Sequence, residues 1–461
     1  MESVEKYIDV KEILEVTKGK LVYGDVNEKC ENFSKDTKSI NKDDIFVGIK
    51  GETKDGGMFY KDAFNAGAKG CILNEEIAKK FEEFNGKFLI VVQDTIKAIQ
   101  EIAKLKREKY NIPVVAITGS VGKTSTKDIV ASVVSQKYNV LKTQGNMNNH
   151  IGLPMTILGL KEHTAMVVEM GMNHSGEISV LTNIAKPTVA VITNVGTAHI
   201  GNLGSRENIL KAKLEILEGL SSEGKLIINN DNDMLHNWYI DNKEKYNIVT
   251  YGIENESHQM ATNITYSENR SKFTLKNKDT NEQIDVPVGG EVFVYNSLAA
   301  ICVGKELGIS VEKIKEGIAK FKLTKMRLDV QKSNKGYTII NDCYNANYDS
   351  MKSALEYLKN TNAKRKIAVL GDMLELGEYS KQLHHKVGEE VVKNKIDILI
   401  AVGNEAEEIA DVAMKSGIEV YHFNNNNEAV EKLKELLEKE DAILIKASNS
   451  MNFKEIVSEI I

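Results

Sequence analysis

Apolar residues along this chain come in short runs, broken by glycine, asparagine and charged stretches, with amphipathic segments between them. In the first hundred residues the runs at 44–49 and 88–92 read as strands, and 58–66 reads as a helix. The charged piece KLKREKYNIP, closed by Pro113, marks a helix end followed by a boundary. A buried-strand pattern, PVVAIT, then leads into glycines and a helix predicted to begin near Lys123. Further strands are predicted at 165–169, 188–193 and 225–228. Strands alternating with helices in this way specify a mostly parallel sheet covered on both faces. Residues 247–288 are more polar and alternate, as in VTYGI and SKFTLKN, so they are expected to be antiparallel and peripheral. The last segment predicts strands at 337–341, 366–370, 396–402, 418–423 and 442–446, which fits a doubly wound open sheet. The asparagine run at 424–427 reads as a turn. The chain is thus expected to be α/β, in three units: 1–107, 108–322 and 323–461.

Composition narrows the class. A chain of 461 residues suggests about three domains. A net charge of −6 gives no reason to expect nucleic acid or an anionic membrane as partner. The basic stretch 104–109 is interrupted by Glu108 and reads as a solvated helix face. The N-terminal residues carry acids and lack the apolar core of a signal peptide, and no run approaches the ~20 apolar residues that cross a bilayer. Cys30, Cys71, Cys302 and Cys343 show no CxxC spacing, so reduced thiols in or near the core, and the cytoplasm, are expected.

The strongest chemical signal is TGSVGKTS at 118–125, set between an apolar strand and a helix. Gly119 and Gly122 let the backbone approach phosphate oxygens, while Ser120, Ser125 and the loop N–H groups offer donors at a helix N-terminus. Lys123 can reach the β- and γ-phosphates and the Thr124 hydroxyl can bind Mg²⁺. The loop is shorter than the ordinary pattern, because the usual first glycine position is Ile117. No G-x-G-x-x-G opens any unit, which argues against a dinucleotide site.

Other candidates follow from position. Glu169 ends the apolar run AMVVE, where a carboxylate serves either as a cap or as a metal ligand beside a phosphate loop. His199, in the loop TNVGTAHIG, is either structural or a contact to metal or phosphate oxygen. Asp342 ends a strand and suits a ribose hydroxyl, a turn or a helix N-cap, with Asn345 and Asn347 just beyond. Asp372 and Glu375 lie in a similar strand-to-helix loop, with His384 and His385 on the next helix; no His, Cys and acid set has zinc spacing. Lys213, on an amphipathic helix, would not be singled out by pattern alone.

Taken together, TGSVGKTST, GNMNNHIGLP (145–154), VVEMGMNHSGEI (167–178), the stretch 187–216, MRLDV (326–330), NDCYNAN (341–347) and LGDMLELGEYSKQLHHKVG (370–388) resemble the Mur ligases across almost the whole chain. The resemblance implies a UDP-sugar-binding α/β domain, a central P-loop ATPase domain and a C-terminal Rossmann-like domain that binds the amine and closes over ATP. It implies an ATP- and Mg²⁺-dependent amide ligase of peptidoglycan precursor synthesis, a monomer acting on UDP-MurNAc-tripeptide and D-Ala-D-Ala. By motif position Lys123 would hold the β/γ-phosphates and Thr124 one Mg²⁺. Glu169 and His199 would help hold metal, and Lys213 would be carbamylated by CO₂ into a further ligand. Asn296, Arg327 and Asp342 would contact the nucleotide, and Ser34, Asp36, Asn148, Asn149, Asn345 and Ser448 the other substrates. The chain departs from the family pattern at Gly57 and Val292, both usually histidine, at Tyr348, usually proline, and at Asn449, usually arginine. AspThrLys at 36–38 replaces aspartate-serine-arginine. These departures leave open a paralogue with another amine or nucleotide-peptide, or a nucleotide-binding protein without ligation. Outside the family, a generic P-loop ATPase or kinase is the alternative.

Overall fold

The computed structural model describes residues 7–51, 53–267, 269–277 and 281–461. Three sheets organise them, of five, nine and six strands, with a small two-stranded ribbon of Ile8–Asp9 and Lys29–Cys30.

In the first sheet Phe33–Ser34, Ile45–Val47, Gly70–Asn74 and Phe88–Val92 run parallel, and Lys20–Tyr23 closes the edge antiparallel. The segment expected as one helix at 58–66 is a 3₁₀ turn, Gly56–Phe59, followed by the helix Tyr60–Asn65. Asp55 causes the break by accepting a hydrogen bond from Gly57 N, as a turn cap does.

Helix Thr95–Glu108 starts at Asp94, whose carboxylate accepts from Ile96 N and Lys97 N. It packs against helices Gly152–Leu158 and Glu177–Ala185 of the central unit. The basic stretch on it is not a solvated face. Lys106 and Arg107 are buried, and burial pushes the Lys106 ammonium down to about 8. The Arg107 guanidinium donates to the carbonyls of Ala185 (2.8 Å), Tyr110, Ile112 and Lys186. Helical spacing alone could not show that a second unit covers this side.

The central sheet runs in the order Asn281–Val286, Arg270–Lys276, Gln259–Ser267, Ile248–Gly252, Lys225–Asn229, Val189–Ile192, Val114–Thr118, Ala165–Glu169, Val140–Lys142. Only the three strands between Gln259 and Val286 pair antiparallel with one another. Ile248–Gly252, expected to be antiparallel, instead extends the parallel sheet beside Lys225–Asn229. Its end is buried, with Tyr251 1% exposed, so it behaves as an interior strand despite its polar letters. Val114–Thr118 lies between Ala165–Glu169 and Val189–Ile192, both parallel to it, so the chain leaves it toward one side and later returns on the other. Ligands of open parallel sheets bind in the crevice beyond the strand ends at such a switch point.

The C-terminal sheet runs Asp329–Lys332, Thr338–Asn341, Ala442–Lys446, Lys366–Gly371, Ile398–Val402, Glu419–Phe423, parallel except for the first. That antiparallel edge strand was not anticipated; its sequence, DVQK, is too short and polar to announce itself. In the 424–427 asparagine run, Asn425 caps the helix Asn426–Leu436 by accepting from Glu428 N, so the run opens a helix as well as turning the chain. All four cysteines are free and buried. No helix among the described residues is long and apolar enough to cross a membrane.

Replacing Arg107 by alanine would strand several buried carbonyls at the joint between the first two units. Arg107→Ala is expected to lower stability by about 3 kcal/mol, read as a lower midpoint of the first transition in urea unfolding.

Candidate active site

At the end of Val114–Thr118 the chain turns through Gly119–Gly122 into the helix Lys123–Val134. A Cβ on Gly119 would lie 1.9 Å from Thr193 Oγ1, so only glycine fits against the neighbouring strand end. Gly122 is left-handed, at φ 81°, and aims the first helical turn back at the loop. Asn194 staples the loop in place: its Oδ1 accepts from Ser120 N (3.1 Å) and Val121 N (2.9 Å), while its Nδ2 donates to Val121 O (3.0 Å). Lys123 Nζ donates to Gly119 O at 2.8 Å, curling over the loop. Burial lowers the pKa of its ammonium; Glu169 opposes that shift and Arg327 reinforces it.

Glu169 lies one strand away, buried, at the end of Ala165–Glu169. Its Oε1 accepts from Asn148 Nδ2 at 2.8 Å, while Oε2 is buried with no partner among the described residues. A desolvated carboxylate oxygen of this kind is costly unless something pairs with it, and a cation would do so. Lys213, on helix Arg206–Leu214, is 1% exposed, and its pKa is driven well below the ordinary lysine value by burial and then by Lys123. His199 adopts φ 63° and places Nδ1 2.7 Å from Glu375 Oε2, a carboxylate of the C-terminal unit. That contact holds the Glu375 carboxyl below its usual range.

The C-terminal sheet closes the other wall. Arg327 Nη2 lies 3.4 Å from Thr124 Oγ1, its guanidinium stacks 3.9 Å from the centre of the Tyr344 ring, and its Nε is buried and unpaired among the described residues. Asp342 accepts from Leu328 N and forms a buried ion pair with Lys446, which also donates to Asn345 O. Burial lowers the Lys446 pKa, and Asp342 opposes that. Ser448 Oγ accepts from Leu374 N, and Asn449 Nδ2 donates to Tyr344 O at 2.9 Å. The walls enclose a cleft of ≈ 560 Å³.

This cleft gathers Ser120, Gly122, Lys123, Thr124, Ser125, Asn148, Asn149, Glu169, His199, Arg327, Asp342, Asn345 and Ser448. Asn149 is spent on backbone, accepting from Ile151 N and Gly152 N. Asn296 stands behind the loop, its Oδ1 accepting from Thr126 Oγ1 and its Nδ2 buried and unpartnered among the described residues. Ser34 and Asp36 are not brought here; they form a local turn in the first unit. Of the departing positions Val292 and Asn449 line the cleft, Gly57 is buried in its own turn, and Tyr348 begins helix Tyr348–Lys359. Asn194 and Lys446 were missed. Each had a signal: an amide just past a strand beside the phosphate loop, and a lysine ending the apolar run AILIK.

A shortened phosphate loop facing a second α/β sheet, with a buried acid and a buried lysine behind it, defines a multidomain protein with a nucleotide-phosphate site at the junction of two units. Two family models match: the Mur ligase middle domain over residues 117–304, and the Mur ligase glutamate ligase domain over 326–449. The UDP-N-acetylmuramoyl-tripeptide–D-alanyl-D-alanine ligase of Bacillus subtilis (strain 168) is 37% identical over 457 residues, covering 98% of both chains. The crystal structure of MurF from Acinetobacter baumannii is similar, with a TM-score of 0.88, 29% identity and 99% of each chain covered. That of MurF ligase from Thermotoga maritima in complex with ADP gives a TM-score of 0.80 and 28% identity, over 93% of this chain and 96% of that one. The chain belongs to the Mur ligase family.

The Asp342–Lys446 pair yields a sharp test. Lys446→Met is expected to destabilise the protein by about 3–5 kcal/mol, because it leaves a buried carboxylate without its cation. The double variant Lys446→Met/Asp342→Leu should recover most of the loss in urea unfolding followed by circular dichroism.

Proposed function

We propose that the protein is an ATP-dependent amide ligase that joins D-Ala-D-Ala to UDP-MurNAc-tripeptide in peptidoglycan precursor synthesis. The observation that carries this reading is the full-length similarity to ligases named for that reaction, combined with a cleft where Lys123, Glu169 and Arg327 converge on one phosphate loop. The similar Thermotoga maritima protein was solved with ADP, which supports ATP as the co-substrate here. In this reading residues 1–107 hold the nucleotide-peptide, 108–322 hold ATP, and 323–461 bring the amine. The enzyme works as a monomer in the cytoplasm.

A carboxylate is a poor acylating agent because its leaving group would be an oxide. Transfer of the γ-phosphoryl group to it makes an acyl phosphate, whose phosphate can leave when the amine attacks. Lys123 offsets charge on the phosphoryl oxygens during that transfer, and Arg327 approaches from the opposite wall. The dipeptide amine then adds to the acyl carbon, and the tetrahedral adduct collapses to the amide and phosphate. Holding both substrates and ATP between fixed walls supplies the orientation that solution lacks.

Glu169 Oε2, buried and without a partner among the described residues, and the buried Thr124 hydroxyl fit a Mg²⁺ site, with His199 alongside. Bound there, Mg²⁺ would neutralise phosphate charge. Lys213 fits conversion to a carbamate: burial, and then Lys123, drive its pKa well below the ordinary lysine value, which favours the neutral amine, the form that adds CO₂. That would replace a cation repelled by Lys123 with an anion attracted to it. A second reading, ligation of a different acceptor, is favoured by Asn449 standing on the cleft wall where the family has arginine.

Phosphate release from ATP is expected to need both UDP-MurNAc-tripeptide and D-Ala-D-Ala, with a UDP-MurNAc-pentapeptide mass as product. Release with the nucleotide-peptide and a different amine alone would favour the second reading; release without any amine would sink both. Removing dissolved CO₂ should lower the rate and bicarbonate should restore it. Because the neutral amine reacts, restoration should improve as pH rises through the depressed Lys213 pKa. Lys213→Ala should be inactive and indifferent to bicarbonate.

A further inference from the structure

Residues 193–197 form a strip with two working sides. One side holds the phosphate loop: Thr193 Oγ1 donates to Val121 O (2.7 Å), Asn194 Oδ1 takes the Ser120 and Val121 N–H groups, and Gly196 N donates to Ser120 Oγ (2.9 Å). The other side meets Asp349, in the first turn of helix Tyr348–Lys359 of the C-terminal unit. Asp349 Oδ2 accepts from Thr197 N at 2.7 Å and from Thr197 Oγ1 at 2.9 Å.

Gly196 shows how closely the two units are fitted. Its backbone is not among the positive-φ residues, so conformation does not demand glycine. A Cβ there would fall 2.3 Å from Asp349 Oδ2 and 2.6 Å from its Cγ, and the three nearest atoms all belong to Asp349. Gly201 repeats the pattern. It too lacks a positive φ, and the three atoms nearest its Cβ would all belong to the opposite unit, Glu375 O (2.6 Å), Gly377 N (2.7 Å) and Leu376 C (2.7 Å). Two glycines flank His199, and what keeps each small is the C-terminal unit seated against it.

We propose that Asp349 is a positioning residue for phosphoryl transfer. By seating on Gly196–Thr197 it fixes the strip, and through Asn194 and Gly196 N it fixes the shape of the phosphate loop. Docking of the amine-bearing unit and shaping of the ATP loop are then one event, and residue 196 is glycine to admit the carboxylate. This rests on the ligase reading only in taking the loop as the ATP site. Asp349 touches no reacting atom; it acts through the strip, and the carboxylate is held there by two hydrogen bonds from Thr197, with the Arg206 guanidinium adding attraction from nearby.

The test is a double-mutant cycle of Gly196→Ala and Asp349→Ala, read by ATP-dependent phosphate release with both proposed substrates. In parallel, the radius of gyration is measured by small-angle scattering with and without MgATP. Asp349→Ala should lower kcat/KM for ATP by about tenfold, for loss of a charged acceptor. Gly196→Ala, which adds a clash to that loss, should lower it by about a hundredfold. The double variant should return to the level of Asp349→Ala, because the obstacle has gone, and its radius should fall back from the larger value of Gly196→Ala. A merely structural glycine would give additive losses, and additivity overturns the proposal. So does a Gly196→Ala protein that matches wild type, or equal radii in all four proteins under both conditions. If Gly196→Ala fails to fold, Gly201→Ala replaces it: an expanded, slow protein supports docking-dependent shaping, and a compact wild-type-like one overturns it. If wild type releases no phosphate, the ligase reading fails while the scattering comparison still decides the proposal.

Discussion

The side-chain amide of Asn194 is the contact on which the site depends. A loop bounded by two glycines has few side chains with which to hold its own shape, and here one amide bonds Ser120 N, Val121 N and Val121 O at once. It can do so because Val189–Ile192 lies directly beside Val114–Thr118 in parallel register, so both chains emerge at the same edge of the sheet. Move Val189–Ile192 elsewhere in the sheet and the loop loses its staple, Gly119 its reason for being glycine, and Lys123 its fixed base. The parallel sheet is therefore the device that brings residues far apart in sequence within hydrogen-bonding distance of one turn.

The remaining electrostatics follow from that placement. Lys213 is buried near enough to Lys123 for the two to repel, Glu169 is buried with one oxygen unpaired among the described residues, and Arg327 approaches from the other wall. Each departure from ideal pairing costs stability. Lys123, Glu169 and Arg327 line a single cleft, which is where a folded chain tolerates strain for the sake of a ligand. The Asp342–Lys446 pair differs in kind. Its charges are paired, and it anchors Asn345 and Leu328, so it frames the wall of the cleft.

Much of this was legible in the letters, and the misses have physical causes. Strand–glycine–lysine–helix around Lys123 announces itself because phosphate binding demands local geometry. The interior strands 88–92, 165–169 and 442–446 stand out because burial on both faces requires continuous apolar runs. What failed was anything decided by a neighbour distant in sequence. Lys106 and Arg107 look solvated on their own helix and are buried by another unit. Tyr251 sits in polar company yet lies inside, and Lys213 acquires its chemistry only from burial near Lys123. Motif resemblance drew attention to Lys213, which spacing could not.

The joint made by Arg107 bears on how the molecule comes into being. The guanidinium needs the carbonyl of Ala185, 78 positions further along the chain, and that of Lys186 after it. During synthesis the helix Thr95–Glu108 therefore leaves the ribosome with a buried cation-to-be that has only its local acceptors, Tyr110 and Ile112, to receive it. A stretch of central strands and helices must follow before its other partners exist. At ribosomal rates of about 5–20 residues per second, that interval lasts several seconds. For that time the first unit carries an open, half-apolar helix face, so a chaperone or a pause in translation would act on this protein most usefully between Glu108 and Lys186.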